Sequence, residues 1–410
     1  MLTGAWIALT VGALVVGAAA VSALAAPRRF EIGSGIAAIS ALALTAWGSV
    51  SITTAFQRAD ITAYAALLSL AAFAGGYGLA SAYLSGLRRR VPNVSLPNPL
   101  PPERPGTVAL FVTCAEPETY DPFTTAGDLE EIAMEGGPEH SVGITPFLYA
   151  AQKARYRAIE GTSPATNDVR AIIKRVRSLL DADEYPVVDA VWCIGHRGLD
   201  TAVAQAADQG YRRFVIVGIS VAEAFHIDKA KCAVDVLKPH LAGIRIVYAP
   251  PLWASEQLAQ LVANRILGAT EDSSVTGVAL VSHGQPEARE QAHRAFDAQE
   301  QSFINRVRMI LLEKGMENHL IRTAWADWRD PNITETVRHL AALGASKVLI
   351  SPACHPVDCI STLLDFPMAV RQSRVDPRIR TVQMGAWGDR AEVAEALATA
   401  VRETAVELDD

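Results

Sequence analysis

Three long runs without a charged side chain open the chain, at residues 1–27, 32–57 and 61–87. A helix needs about 20 apolar residues to cross a hydrocarbon core of about 30 Å, and each run exceeds that. They predict a membrane anchor of three transmembrane helices within residues 1–90. The small residues "ALAA" at 23–26 look like a leader-peptide cleavage site, but "MLTGAWIALT" lacks the basic start of such a leader. The first run therefore reads as a span. Ala74, Gly78 and Ala82 recur every four residues in the third run. Such a stripe of small side chains lets helices pack closely, either among these three or against a partner subunit.

The pattern changes at "VPNVSLPNPLPPERPG", residues 91–106, with six prolines in sixteen residues. Such a stretch cannot continue a helix and predicts an extended, fairly stiff linker that holds the following domain off the membrane. Beyond it, short apolar β-type runs begin at Val108, Val187, Arg213, Ile244, Val278, His319, Lys347 and Arg380. Amphipathic helical stretches such as "NDVRAIIKRVRSLLDA", "EQLAQLVANRILGA" and "TETVRHLAALG" lie between them. Nearly continuous apolar strands alternating with such helices indicate parallel sheets covered on both faces.

A weak internal repeat divides the eight strands into two groups of four. "LDTAVAQAADQGYRRFVIVGIS" and "NITETVRHLAALGASKVLISPA" both read helix, Gly, basic residue, apolar strand, with Gly210 and Gly344 suited to left-handed helix caps. The expected fold is α/β, with two similar Rossmann-like halves, each a four-stranded parallel sheet, at residues 107–270 and 271–410. Ligands of open α/β sheets bind beyond the carboxyl ends of the strands, which places the expected cleft between the halves.

Charge adds orientation and exclusions. Arg28 and Arg29 separate the first two spans, Arg88, Arg89 and Arg90 follow the third, and the intervening "QRAD" is neutral. The positive-inside rule puts both basic segments, and hence the large domain, in the cytoplasm, with the N-terminus outside. The first 90 residues hold six Arg and two acids, which leaves the rest of the chain at −11. No basic tract there suits nucleic acid. "GTSPATND" lacks both a P-loop lysine and GxGxxG, so a nucleotide is not expected. The five cysteines, Cys114, Cys193, Cys232, Cys354 and Cys359, are odd in number in a large domain expected in the cytoplasm, which argues against a disulfide framework, and no pair has zinc-ribbon spacing.

Two strand ends in the second half carry reactive residues. "VALVSHGQPEARE" sets His283 between a buried strand and a helix expected from about Pro286 to Glu313. "VLISPACHPVDC" sets Cys354, His355, Asp358 and Cys359 after a neighbouring strand. Strand ends on one side of a parallel sheet converge. His283 and the 354–361 turn are therefore expected to face each other across an opening.

In order and spacing, "VSHGQP" and "WRDPNITETVRHLAALGASKVLISPACHPVDCISTLLD" resemble the second half of ferrochelatase. Trp328, Pro331, Gly344, Lys347, Pro352, Asp358, Thr362 and Leu363 fall in step with that family. In the first half, "YRAIEGTSPATNDVRAIIKRV" is similar to a family segment through Ser163 and Pro164, and "CIGHRG" matches through Arg197. The resemblance runs from about Thr107 to the C-terminus and leaves the membrane part outside it.

The resemblance implies insertion of a divalent metal, ferrous iron, into a porphyrin for heme biosynthesis. Metal and porphyrin are then substrates, with no further cofactor required. Two pyrrole protons must leave, and a histidine with a pKa near 6.5 can accept them near neutral pH. That role falls on His283, and Asp358 and Ser361 complete the implied catalytic set. Ser163, Pro164, Arg197, Trp328 and Pro331 fall at substrate-binding positions, and His283, His355, Cys354 and Cys359 are candidate metal ligands. Ser361 replaces the family's glutamate and Cys359 its histidine. A serine offers only a neutral hydrogen bond, so Ser361 cannot supply the missing charge. His355 beside His283, or Asp358 or Asp365, are candidate substitutes. The alternative expectation is a catalytically inactive subunit or tetrapyrrole-binding module of a membrane complex. Its partners would be porphyrin or heme, the membrane, and other subunits of that complex.

Overall fold

The computed structural model describes residues 2–86, 94–126, 143–193, 198–238, 243–290 and 293–409. The chain forms two compact units, Met1–Arg90 with Thr119–Gly161, and Val91–Glu118 with Thr162–Asp410.

The first unit contains helices α1 (Leu2–Ala25), α2 (Arg28–Phe56) and α3 (Ala59–Ser85). All three are long and apolar enough to cross a membrane. Their close packing rests on glycines other than the expected stripe. A Cβ on Gly12 would lie 2.8 Å from the Ala41 carbonyl, and one on Gly17 or Gly76 would collide with the backbone of Phe73 or Leu14. Gly78 has nothing within 4 Å, and Ala74 and Ala82 are exposed, so that stripe faces away from the three-helix contacts.

Helix Thr145–Ala158 belongs to this unit, although the sequence assigned it to the first α/β half. The reason lies in the helix ends. The last carbonyls of a helix have no partner within it. Lys153 donates to Ala23 O at 3.1 Å, Tyr120 to Ala25 O at 2.7 Å and Tyr149 to Leu84 O at 3.2 Å. These three residues therefore satisfy the final turns of α1 and α3. Lys153 also pairs with Glu31 at 2.7 Å.

The second unit carries all eight expected strands. Strands β1 (Thr107–Thr113), β2 (Val187–Trp192), β3 (Arg213–Gly218) and β4 (Arg245–Tyr248) form one sheet in the order β2-β1-β3-β4. Strands β5 (Thr276–Ser282), β6 (Ile321–Trp325), β7 (Lys347–Ser351) and β8 (Arg380–Gln383) form the other, in the order β6-β5-β7-β8. Every pairing is parallel. The central strands β1 and β5 are buried at every residue, which is why both read as unbroken apolar runs. Gly210 and Gly344 adopt φ of +102° and +95°, the left-handed caps expected of them. One apolar core joins the halves, with Phe111 and Val217 of the first and Leu280, Phe303 and Leu349 of the second.

The proline-rich arm departs from expectation. Its described part, residues 94–106, lies along the second unit instead of standing clear of it. Arg104 N donates to Gly210 O at 2.9 Å, Arg212 Nη2 to Pro101 O at 2.5 Å, and Leu96 and Leu100 pack on the cluster around Phe214. The helix expected after Pro286 is also divided, into Glu287–Glu290 and Ala295–Glu313.

Candidate functional site

His283 emerges directly after β5 and is exposed. Its ring lies nearly parallel to that of His355, at 18° and 5.2 Å between centroids. His355 is 3 % exposed, and Phe366 meets it edge-on at 5.2 Å. Among the described residues, neither ring nitrogen of His355 has a hydrogen-bond partner. Burial holds its pKa well below the ordinary histidine value, and the neighbouring His283 adds to that. The expected opening between His283 and the 354–361 turn is thus corrected. The two rings touch, and the accessible side is the exposed face of His283.

Behind His283 sits a carboxylate that the motif reading missed. Glu300, on the helix Ala295–Glu313, is buried. Its Oε2 accepts from His283 N and Gly284 N, each at 3.1 Å. Burial pushes its pKa up, and a charge on His283 and the two N–H groups pull it back down. The sequence did carry a signal. Glu300 falls on the stripe of Phe296, Phe303, Ile304 and Val307, where an unpaired acid does not belong.

Gly284 allows the close approach on the other side. Its φ is +86°, and a Cβ there would strike Asp327 O. The loop after β6 closes in through Ala326 N to Ser282 O at 2.9 Å and Asp327 N to His283 O at 3.2 Å. This loop carries Trp328, 59 % exposed with φ +66°, and the exposed Pro331.

A second carboxylate, Glu116, follows β1 by three residues. Its Oε1 accepts from Ser163 Oγ at 2.5 Å and from Ile360 N at 2.7 Å, and so ties the first half to the 359–361 turn. Ser163 is 1 % exposed with its hydroxyl committed to Glu116. It therefore positions that carboxylate. Pro164 stands behind it, at the start of helix Ala165–Leu179. Arg197 lies outside the described residues.

The rest of the turn is held from within. Asp358 accepts from Ala386 N at 2.9 Å and Thr362 Oγ1 at 3.1 Å, which fastens the turn to the loop after β8. Burial first, and Asp358 next, raise the pKa of Asp168 opposite it. Ser361 is half-buried and opens a wide turn in which Phe366 N reaches back five residues to its carbonyl.

Cys354 is buried, 3.9 Å from Ser282 Oγ, and its thiol is pushed far up by burial and by Glu300. The Cys359 thiol is pushed up to about 11 by burial and then by Glu116. Among the described residues no three His, Cys, Asp or Glu side chains converge as a metal site. The expected set of four ligands is therefore not assembled. Cys359 turns toward Glu116, Cys354 toward Ser282 and Glu300, and only the two imidazoles are neighbours.

Comparison with known proteins adds family and fold. The ferrochelatase family model matches residues 137–405. The chain is 25 % identical over 282 residues to the ferrochelatase of Synechococcus sp. (strain JA-3-3Ab), covering 58 % of this chain and 81 % of that one. Among solved structures, SirB from Bacillus subtilis with Fe3+ is similar at a TM-score of 0.50 and 13 % identity. That match covers 74 % of this chain and 97 % of SirB, and it supports the fold.

Proposed function

Because the chain belongs to the ferrochelatase family, we propose that it inserts a divalent metal, ferrous iron of a heme pathway, into a porphyrin, with His283 accepting the pyrrole protons. The observation that carries this is the layered arrangement at one strand end: an exposed imidazole, a buried imidazole against it, and a buried carboxylate behind. A porphyrin approaches the exposed face of His283, with the Trp328 plane beside it. Glu300 lies buried behind that proton acceptor and holds its loop through the His283 and Gly284 N–H groups. Glu300 thereby supplies a carboxyl group near the site where Ser361 offers only a hydroxyl. His355 stays neutral because burial disfavours its charged form, so no second cation forms beside His283. Two neighbouring imidazoles also suit an incoming cation such as Fe2+.

Three membrane spans fit the substrate, since an apolar porphyrin and its heme product partition into membranes. By the positive-inside rule the α/β unit faces the cytoplasm. A second reading, a catalytically inactive subunit or tetrapyrrole-binding module of a membrane complex, draws on Ser361 and on the lack of a three-ligand cluster among the described residues.

Titrating the full-length protein in mild detergent with protoporphyrin tests both. Binding is expected as a shifted Soret band, followed by anaerobic insertion of iron or zinc. Absence of any tetrapyrrole binding removes the enzyme and the tetrapyrrole-binding module and leaves only a scaffold subunit. Binding without insertion, together with co-purification of other membrane proteins at fixed stoichiometry, selects the second.

A further inference from the structure

The first sheet carries its own pair of reactive groups. Strands β1 and β2 are in register up to Thr113 opposite Trp192. Cys193 N still donates to Thr113 O at 2.9 Å, so the ladder runs one residue further and sets Cys114 opposite Cys193. Adjacent strands lie about 4.8 Å apart. That falls inside the Cα separation of about 4.4–6.8 Å that a disulfide spans. The two Sγ atoms are already 3.0 Å apart. We propose that Cys114 and Cys193 are a site of reversible oxidation, closing a disulfide across the rim of the first sheet.

The other thiols are unlike this pair. Cys354 is buried, Cys359 is raised to about 11, and Cys232 is exposed on a different element, helix Phe225–Val236. Cys114 is exposed and Cys193 half-buried, so small reagents reach the pair. An odd number of cysteines speaks against a fixed disulfide framework, but a single reversible pair leaves three others reduced without contradiction.

The co-reactant is a low-molecular-weight disulfide. One protein thiolate attacks it, forming a mixed disulfide and releasing one small thiol. The second protein thiolate then attacks the protein sulfur of that mixed disulfide and releases the other small thiol. The protein loses two electrons and two protons, and both leave on the small thiols. Cys114 precedes Glu116 by two residues. Closure therefore anchors the loop whose carboxylate holds Ser163 and Ile360.

Full-length protein in detergent, equilibrated in oxidised and reduced glutathione mixtures, tests this. After acid quenching and alkylation, mass spectrometry should show loss of two hydrogens per chain and a linked peptide pair containing Cys114 and Cys193. Dithiothreitol should restore both thiols. Cys114→Ser should instead trap one glutathione on Cys193, with no two-hydrogen loss. Independent alkylation of Cys114 and Cys193 throughout the titration overturns the proposal, as does a linked pair involving any other cysteine.

Discussion

Strands β1 and β5 occupy the same place in their sheets. Each is seven residues long, buried throughout, and flanked by parallel neighbours on both sides. Both ladders continue one pair beyond the strand, through Cys193 N to Thr113 O and Ala326 N to Ser282 O, each at 2.9 Å. The residue delivered to the rim is Cys114 in the first half and His283 in the second. The neighbour delivered beside it is Cys193 in one case and Ala326 in the other. A repeated frame thus settles where side chains emerge, while the layer behind them settles their chemistry. His283 has a buried carboxylate beneath it, whereas Cys114 has a second thiol at its side.

The largest test of this contrast compares the two rim residues directly. His283→Ala should lower zinc insertion by about 10²- to 10⁴-fold, the usual contribution of a positioned proton acceptor. Cys114→Ser in reduced protein should leave the rate unchanged. Equal losses in both variants would erase the functional asymmetry. Glu300→Gln sharpens the result, because it keeps the shape and replaces the carboxyl group. Insertion should slow, because the amide replaces the carboxyl group that accepts from both the His283 and Gly284 N–H groups. An unchanged rate would leave Glu300 without a part in insertion.

A smaller effect belongs to His355. The internal repeat matches it with Val221 of the first half, 1 % exposed, so one half buries an imidazole where the other buries an aliphatic group. Two ring nitrogens without a partner among the described residues make the imidazole a liability. His355→Leu should raise stability by about 1–3 kcal/mol while slowing insertion. The pH dependence gives an independent check. The pKa of His355 is lowered in the fold, so the unfolded chain takes up the proton first. Stability is then complete above about pH 6.5 and falls as pH drops through that value toward the folded pKa. The leucine variant should lack this contribution in thermal melts between pH 7 and pH 5. A variant that is both less stable and fully active would make His355 a packing residue.

What the sequence disclosed follows from how far each interaction reaches along the chain. Eight strands were legible because buried parallel strands are continuous apolar runs, and Gly210 and Gly344 because a left-handed cap favours glycine. His283 was legible as a polar residue ending such a run. Glu116 was not, because its partner Ile360 lies 244 residues away and no local pattern marks a carboxylate that accepts from a distant backbone N–H. Helix Thr145–Ala158 was misassigned because the carbonyls it satisfies become orphans only once α1 and α3 have formed. Loop spacing gave Cys354, His355 and Cys359 as neighbours in sequence but said nothing of direction, and the side chains diverge.

The smallest predicted effect asks whether the first half acts on the second through charge at all. Glu116 and Glu300 do similar work, each accepting from backbone N–H groups of a loop in the second half. They differ in surroundings, since Glu300 is buried and Glu116 half-buried, where solvent screens its field. The Cys359 thiol records that difference. Burial is the first cause of its rise to about 11 and Glu116 the second. Glu116→Gln removes a negative charge that disfavours the thiolate, so the pKa should fall, but burial should retain most of the shift. Alkylation of Cys359 at fixed pH below 10 should therefore accelerate by less than about tenfold, because a full unit would be needed for tenfold more thiolate. A larger acceleration would mean that charge from the first half outweighs burial at the turn. The two carboxylates would then act with comparable strength, and the asymmetry between the halves would lie only in the residues at their rims.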